Sequence, residues 1–159
     1  MVTFEDIKNV PLFAGLDEQA LAALAPKLQL LRLPKGTFLY NQNTVEPTLY
    51  IIKEGVVRLT TGDTGKGAPQ TVGILRSPEF LGELSLIDGQ APVTAAEVIK
   101  EAQIIVLRKP DFETFLEANP PAGYSIYLLL AKEICARLRK LNDEFIDMTK
   151  FVWEMSAKI

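Results

Sequence analysis

The apolar positions of this chain change period twice. In "VPLFAGLDEQALAALAPKLQL", residues 10 to 30, Leu21, Leu24 and Leu28 recur at spacings of three and four, which predicts a short amphipathic helix. Asp17 stands where a cap belongs, and Pro26 predicts an early end. From Leu28 to Leu107 the runs become short and rich in Val, Ile, Leu, Thr and Tyr. They are broken by "LPKG", "NQNTVEP", "KEG", "TGDTGKGAP", "RSPE" and "IDGQAP". Breaks at roughly 8 to 12 residues predict a β-sandwich or barrel. In "LYIIKEGVVRLTTG", Val56, Arg58 and Thr60 alternate with Val57, Leu59 and Thr61, and Gly55 is read as the turn between two strand-like halves. After "AQIIVLRKP" the helical period returns: Pro110 suits a first turn, Phe112, Phe115 and Leu116 form one face, and "ANPP" ends the helix at Asn119. The expected layout is one domain over 1–159, with helices within 3–26, a β-barrel over 28–108, and helices over 110–118 and 122–157.

The last segment is the most regular. Tyr127, Ala131, Ile134, Leu138, Leu141, Phe145, Met148, Val152 and Met155 follow one another in steps of four and three, a heptad seam. Its first turns are expected to lie on the barrel. Beyond Leu138 the seam outlasts a barrel of this size, so a homodimer is expected with Ile134, Leu138, Leu141, Phe145, Met148 and Val152 at its interface. Cys135 lies beside the seam and is read as a small buried hydrophobe. Phe151 and Trp153 either cap the helix pair or anchor a further protein partner.

Composition narrows the function. With 159 residues, 48% of them apolar, the chain has material for one sizeable core. It has a single cysteine and no histidine, which removes the usual members of zinc sites, imidazole bases and nucleophilic triads. No enzyme, metal or cofactor is expected. The net charge of −3 argues against a nucleic-acid-coating surface. No window is apolar enough to span a membrane, and "MVTFEDIKNV" is acidic where a secretory signal is basic, so a cytoplasmic location is expected. "GDTGKGAP" fails the spacing of a phosphate loop and is read as a hairpin loop.

Helix, interrupted barrel and long terminal helix together resemble the cyclic-nucleotide-binding domain. The resemblance runs from "PLFAGL" to about Glu144 and rests on "LPKGTFLYNQ", "LYIIKEGVVRL" and "FLGELSLIDGQAPVTAAEV" in that order. It implies an α+β fold: an antiparallel jelly-roll barrel (double-stranded β-helix) with N-terminal helices, a short cassette helix and a long dimerisation helix. The third phrase resembles the family's phosphate-binding cassette. Gly82 lets the backbone approach a ligand, and the first amides of the helix that follows, at Glu83, Leu84 and Ser85, favour an anion. The resemblance implies that Glu83 accepts from a ribose hydroxyl; read from its position alone, it is equally an N-terminal acid that complements the helix dipole. Thr94 and Ala95 match the family's positions beside the cyclic phosphate.

Val93 departs from the pattern, because the family places an arginine there to pair with the phosphate. Losing a charge-assisted contact worth about 1.5–3 kcal/mol weakens a nucleotide roughly ten- to a few hundredfold. Arg76 is the nearest basic side chain upstream, and the sequence does not place it in the pocket. In "ICARLRKLNDEF", Arg137 and Asn142 are the polar residues placed to meet a base or reach across a dimer, or else they belong to a solvated helix face. The implied function is a ligand-sensing regulatory domain that binds a small anion, with cAMP or cGMP as candidate ligand at reduced affinity. The alternatives are a ligand-free dimerisation scaffold and the sensor part of a catabolite-activator-type transcription regulator. The chain ends at Ile159, leaving no room for a helix-turn-helix after the long helix, and Asp143, Glu144 and Asp147 follow the basic "RLRK". Direct nucleic-acid binding is therefore not expected.

Overall fold

A computed structural model describes residues 2–44, 46–61 and 68–156. The hairpin-loop reading of "GDTGKGAP" falls largely outside these residues. The segment before the first strand is helical: α1 (Phe4–Ile7), a 3-10 turn at Pro11–Phe13, α2 (Glu18–Leu24) and a second 3-10 turn at Ala25–Lys27. Asp17 caps α2 by accepting from the Ala20 amide at 2.8 Å, and the α-helix stops two residues before Pro26. This agrees with the reading of both residues.

Among the described residues six strands follow: β1 (Gln29–Leu33), β2 (Phe38–Tyr40), β3 (Thr48–Thr61), β4 (Thr71–Arg76), β5 (Phe80–Leu81) and β6 (Thr94–Arg108). All pairings are antiparallel, and the two long strands β3 and β6 form the spine. β6 pairs with β3 along most of its length, with β1 near its C-terminal end and with β2 near its start. In turn β3 pairs with β5 at its first half and β4 at its second. Two long strands shared by short partners at opposite ends give the jelly-roll.

Gly55 is not a turn. β3 runs through it as one strand of 14 residues, and the register against β6 shifts between Glu54 and Val56. The irregularity changes which side chains face the barrel interior. Ile52 belongs to the interior cluster before it, and the odd-numbered Val57 belongs to that cluster after it. Strict alternation cannot give that change of parity; an extra residue in one strand can. Gly55 holds φ 98°, and a Cβ there would lie 2.5 Å from the Glu101 carbonyl oxygen. The glycine that looked like a hairpin signal is needed because β6 crosses too close for a side chain.

The core has two parts. Ile52, Val57, Leu81, Val98, Ile104 and Val106 fill the barrel, while Leu49, Ile51, Ile105 and Leu107 meet the helices. The run "IIVL" at 104–107 is therefore buried on both faces, which explains its unbroken apolar character. On the helical side, α4 (Lys109–Ala118) contributes Phe112 and Phe115, and α5 (Pro120–Ser156) contributes Ala122, Ile126 and Leu130.

The heptad seam is not the stripe that α5 buries, and that stripe packs on α4 and the Pro11–Phe13 turn. The buried positions are Ala122, Gly123, Ile126 and Leu130, and the last two stand one residue before Tyr127 and Ala131, which are exposed. A helix of 3.6 residues per turn can carry two neighbouring apolar stripes, and these lie side by side. Tyr127 keeps one contact with the body, edge-on to Phe112 at 5.6 Å between ring centroids. Cys135 is exposed, contrary to its reading as a buried residue, because it sits on the flank of α5 turned away from the barrel. No helix among the described residues is long and apolar enough to cross a membrane.

Candidate ligand cavity

β5 runs antiparallel beside Tyr50 and Ile51, and the chain then turns at Gly82, which holds φ 87°. A Cβ at this position would lie 2.1 Å from the Thr48 carbonyl oxygen. Only glycine lets the backbone pass so close to β3, and that passage starts α3 (Glu83–Asp88) at the barrel mouth. Gly89, at φ 72°, ends α3 with its amide on the Ser85 carbonyl at 2.9 Å. The chain returns through Pro92 and Val93 into β6. Gln42 donates to the Val93 carbonyl at 2.9 Å, tying this return to the loop after β2.

Between the turn and the return lies a cavity of about 150 Å³. Of the residues singled out in the sequence, Gly82, Glu83, Leu84, Ser85, Val93, Thr94 and Arg137 line it. Ala95 faces a separate hollow beside Asn41, Asn43 and Thr60, as expected for the neighbour of Thr94 on a strand. Asn142 lies further along α5 on its exposed stretch and lines no part of the cavity, and neither does Arg76. Among the described residues, no protein oxygen accepts from the N–H groups of Glu83, Leu84 or Ser85; the first amide of this turn with a partner is that of Leu86, on the Gly82 carbonyl.

Glu83 is buried, at 6% exposure, and a buried carboxylate needs a partner. Arg137 supplies it, donating from Nη1 to the Glu83 carboxylate at 2.9 Å. The same guanidinium donates from Nη2 to the Phe80 carbonyl at 2.8 Å and from Nε to Glu133 at 2.9 Å. Its plane lies over the Phe80 ring, 5.3 Å from the centroid. The planar fork of an arginine reaches the three acceptors from three separate nitrogens, whereas an ammonium would have to serve them all from one. α5 is thereby joined to the cassette through the residue that holds the cavity's acid. Sequence reasoning named Glu83 and Arg137 separately; their separation of 54 positions hid that they are partners.

Tyr40, Leu59, Leu81 and Pro92 also line the cavity, and none was anticipated. Tyr40 is reached from β2, with its ring 5.7 Å from that of Tyr50. Burial pushes its phenol up from the ordinary value, with the Thr94 side chain acting the other way, so it stays protonated at neutral pH. Leu59 faces the cavity because of the irregularity at Gly55. Its position is the one signal a sequence could have offered, had Gly55 been read as a bulge rather than a turn.

Residues 30–119 match the family model described as "Cyclic nucleotide-binding domain". The chain is 27% identical over 145 residues to the Cyclic AMP receptor protein of Thermus thermophilus, covering 91% of this chain and 64% of that protein. It thus spans just under two thirds of that relative's length. In three dimensions it superposes on the Thermus thermophilus Catabolite Activator Protein with a TM-score of 0.71 at 26% identity, covering 87% of this chain and 63% of the other. On a cyclic nucleotide-binding domain from Methylobacillus flagellatus the TM-score is 0.80 at 20% identity, with 90% and 82% covered, a likeness of fold. The family match extends over more than half of the sequence, and the cassette, barrel and terminal helix stand in the corresponding order: this chain belongs to the cyclic nucleotide-binding domain family.

Proposed function

We propose that this chain is a ligand-sensing regulatory domain whose cavity takes a cyclic purine nucleotide at reduced affinity and whose α5 carries the response. The observation that carries this reading is the reach of Arg137 from α5 to Glu83 at 2.9 Å. A ribose hydroxyl competing for Glu83 acts on the contact that fastens the helix to the cassette. Such a ligand shifts the helix only by binding one arrangement better than the other. The reduced affinity follows from Val93, whose side chain, 71% exposed at the rim, offers apolar contact where an arginine would offer a charge.

The exposed seam of α5 supports pairing with a second copy. Leu138, Leu141, Phe145, Met148 and Val152 are each more than half exposed, an apolar stripe that a partner helix would cover. A ligand-free dimerisation module is the second reading. It is favoured by the fact that Arg137 already satisfies Glu83.

Calorimetric titration of the native protein and of Val93→Arg with cAMP and cGMP separates the two. Binding by the native protein, strengthened roughly ten- to a hundredfold in the variant, is the expected result. Absence of binding in both proteins would leave the dimerisation module.

A further inference from the structure

The geometry points to a second ligand site at the other end of the barrel, one that takes a free α-amino acid with an apolar side chain. The cassette cavity meets β3 at Leu59 and β6 at Thr94, whereas a separate cavity of about 190 Å³ meets them at Thr48 and Tyr50 and at Val106 and Arg108. Among the described residues none lines both. Tyr40 lines the first and Tyr50 the second, so their ring pair separates the two. Leu31, Leu33, Leu39, Tyr50 and Val106 give the second cavity the apolar walls of the barrel interior. The hydroxyls beside them have their protons engaged: Thr48 donates to the Glu46 carbonyl at 3.2 Å, Thr37 to the Pro34 carbonyl at 2.9 Å and Tyr50 to the Leu39 carbonyl at 3.2 Å. Burial pushes the Tyr50 phenol up, so it brings no charge at neutral pH. These walls suit an apolar group.

The rim is different. Its charged side chains are Glu46 and Arg108, both more than half exposed, with Gln29 adding a neutral amide. Arg108 Nε stands 3.7 Å from the Glu46 carboxylate, beyond hydrogen-bond length, and a loose exposed pair contributes little to stability. Exchanging it for ligand contacts therefore costs little, unlike opening the buried pair of Glu83 and Arg137 at 2.9 Å. A zwitterion matches this rim. Its carboxylate accepts from the Arg108 guanidinium and its ammonium donates to Glu46, and the two ligand charges are neighbours on one α-carbon as the two rim charges are neighbours in space. A lone anion or a lone cation would gain one of these contacts and be repelled by the other rim charge. The ligand's side chain then enters the apolar walls and covers Phe38, which lines the cavity and is left 57% exposed. The volume, below the roughly 300–1,000 Å³ of pockets for drug-sized ligands, suits so compact a molecule.

The test is calorimetric titration of the native protein with L-phenylalanine and L-leucine, beside phenylacetate, phenethylamine and glycine, which lack the ammonium, the carboxylate and the apolar body in turn. The two apolar amino acids should bind with a Kd of about 1 mM or tighter, and the three others at least about tenfold more weakly. Arg108→Gln and Glu46→Gln should each weaken L-phenylalanine by about tenfold or more. Both side chains are exposed, so the variants are expected to keep the native fold, and a thermal melt checks this. Val93→Arg, at the rim of the other cavity, should leave amino-acid binding unchanged. Failure of both apolar amino acids to bind overturns the proposal. So does phenylacetate or phenethylamine binding as tightly as L-phenylalanine, and so does binding that survives both rim substitutions, which would put the amino acid elsewhere. The proposal does not rest on the ligand-sensing reading of the cassette: none of these results bears on the titrations with cAMP and cGMP, and the two fail separately.

Discussion

At Gly82 a methyl group would meet a carbonyl oxygen at 2.1 Å, in a backbone held at φ 87°. Neither problem can be relieved by rotating a side chain, since both partners are main chain. Gly82→Ala should lower the free energy of unfolding by about 2–3 kcal/mol, read from urea denaturation at unchanged m-value. It should also displace the start of α3 and abolish ligand binding. The sequence marked this glycine through its place before "ELSLID", but the reason for it, the passage over Thr48, lies 34 positions away. Glu83 behaves alike. Its identity was legible, whereas its partner was not, because an ion pair between a cassette and a distant helix leaves no local pattern in either segment.

Among the elements, α5 shows how far a periodic pattern can be trusted. Its helical period and its length were legible, with Pro120–Ser156 found where 122–157 was expected. Which stripe meets the body was not. Two apolar stripes share this helix: α4 and the Pro11–Phe13 turn take the short one through Ala122, Ile126 and Leu130, and the heptad seam from Leu138 onward is left to solvent. The seam's exposure makes a definite expectation. Sedimentation should give twice the chain mass, and Leu138→Lys with Phe145→Lys should halve it without lowering the melting temperature of the monomer, since neither side chain supports the barrel. A native monomer at high micromolar concentration would remove the pairing. β3 shows the opposite failure: a glycine in an alternating run reads as a turn from one strand and as a bulge only when both strands are seen.

Across the whole molecule, the N-terminal helices are tied to the barrel by polar as well as apolar contacts. Asp6 of α1 accepts from Lys53 of β3 and from the Thr3 amide and hydroxyl, at 2.9 and 2.8 Å for the latter two. The Lys53 ammonium first, and then Thr3, hold the Asp6 carboxyl well below the usual carboxylate range. Because the folded value is depressed, the stabilisation is fully present above the unfolded value of about 3.9 and is lost as pH falls below it toward the folded value. Asp6→Asn should therefore cost about 1 kcal/mol at pH 6, a partly exposed pair being worth no more. The gap to the native protein should shrink as pH falls below about 4, measured by denaturation at each pH. A gap that stays constant with pH would show that the charge on Asp6 contributes nothing.

The sequence by itself determined the order of elements, the barrel and the two aromatic positions of α4, which depend on periods and on local backbone preferences that act over a few residues and so leave their mark in adjacent positions. The cassette and the glycine that opens it were legible through the resemblance of "FLGELSLIDGQAPVTAAEV" to a known family. Only the tertiary structure decided the parity of β3 after Gly55, the stripe of α5 that is buried, the exposure of Cys135, and the pairing of Glu83 with Arg137. Each of these turns on the distance between segments remote in the chain, where packing and charge neutralisation are settled in space and one strand or helix read alone carries only half of the contact.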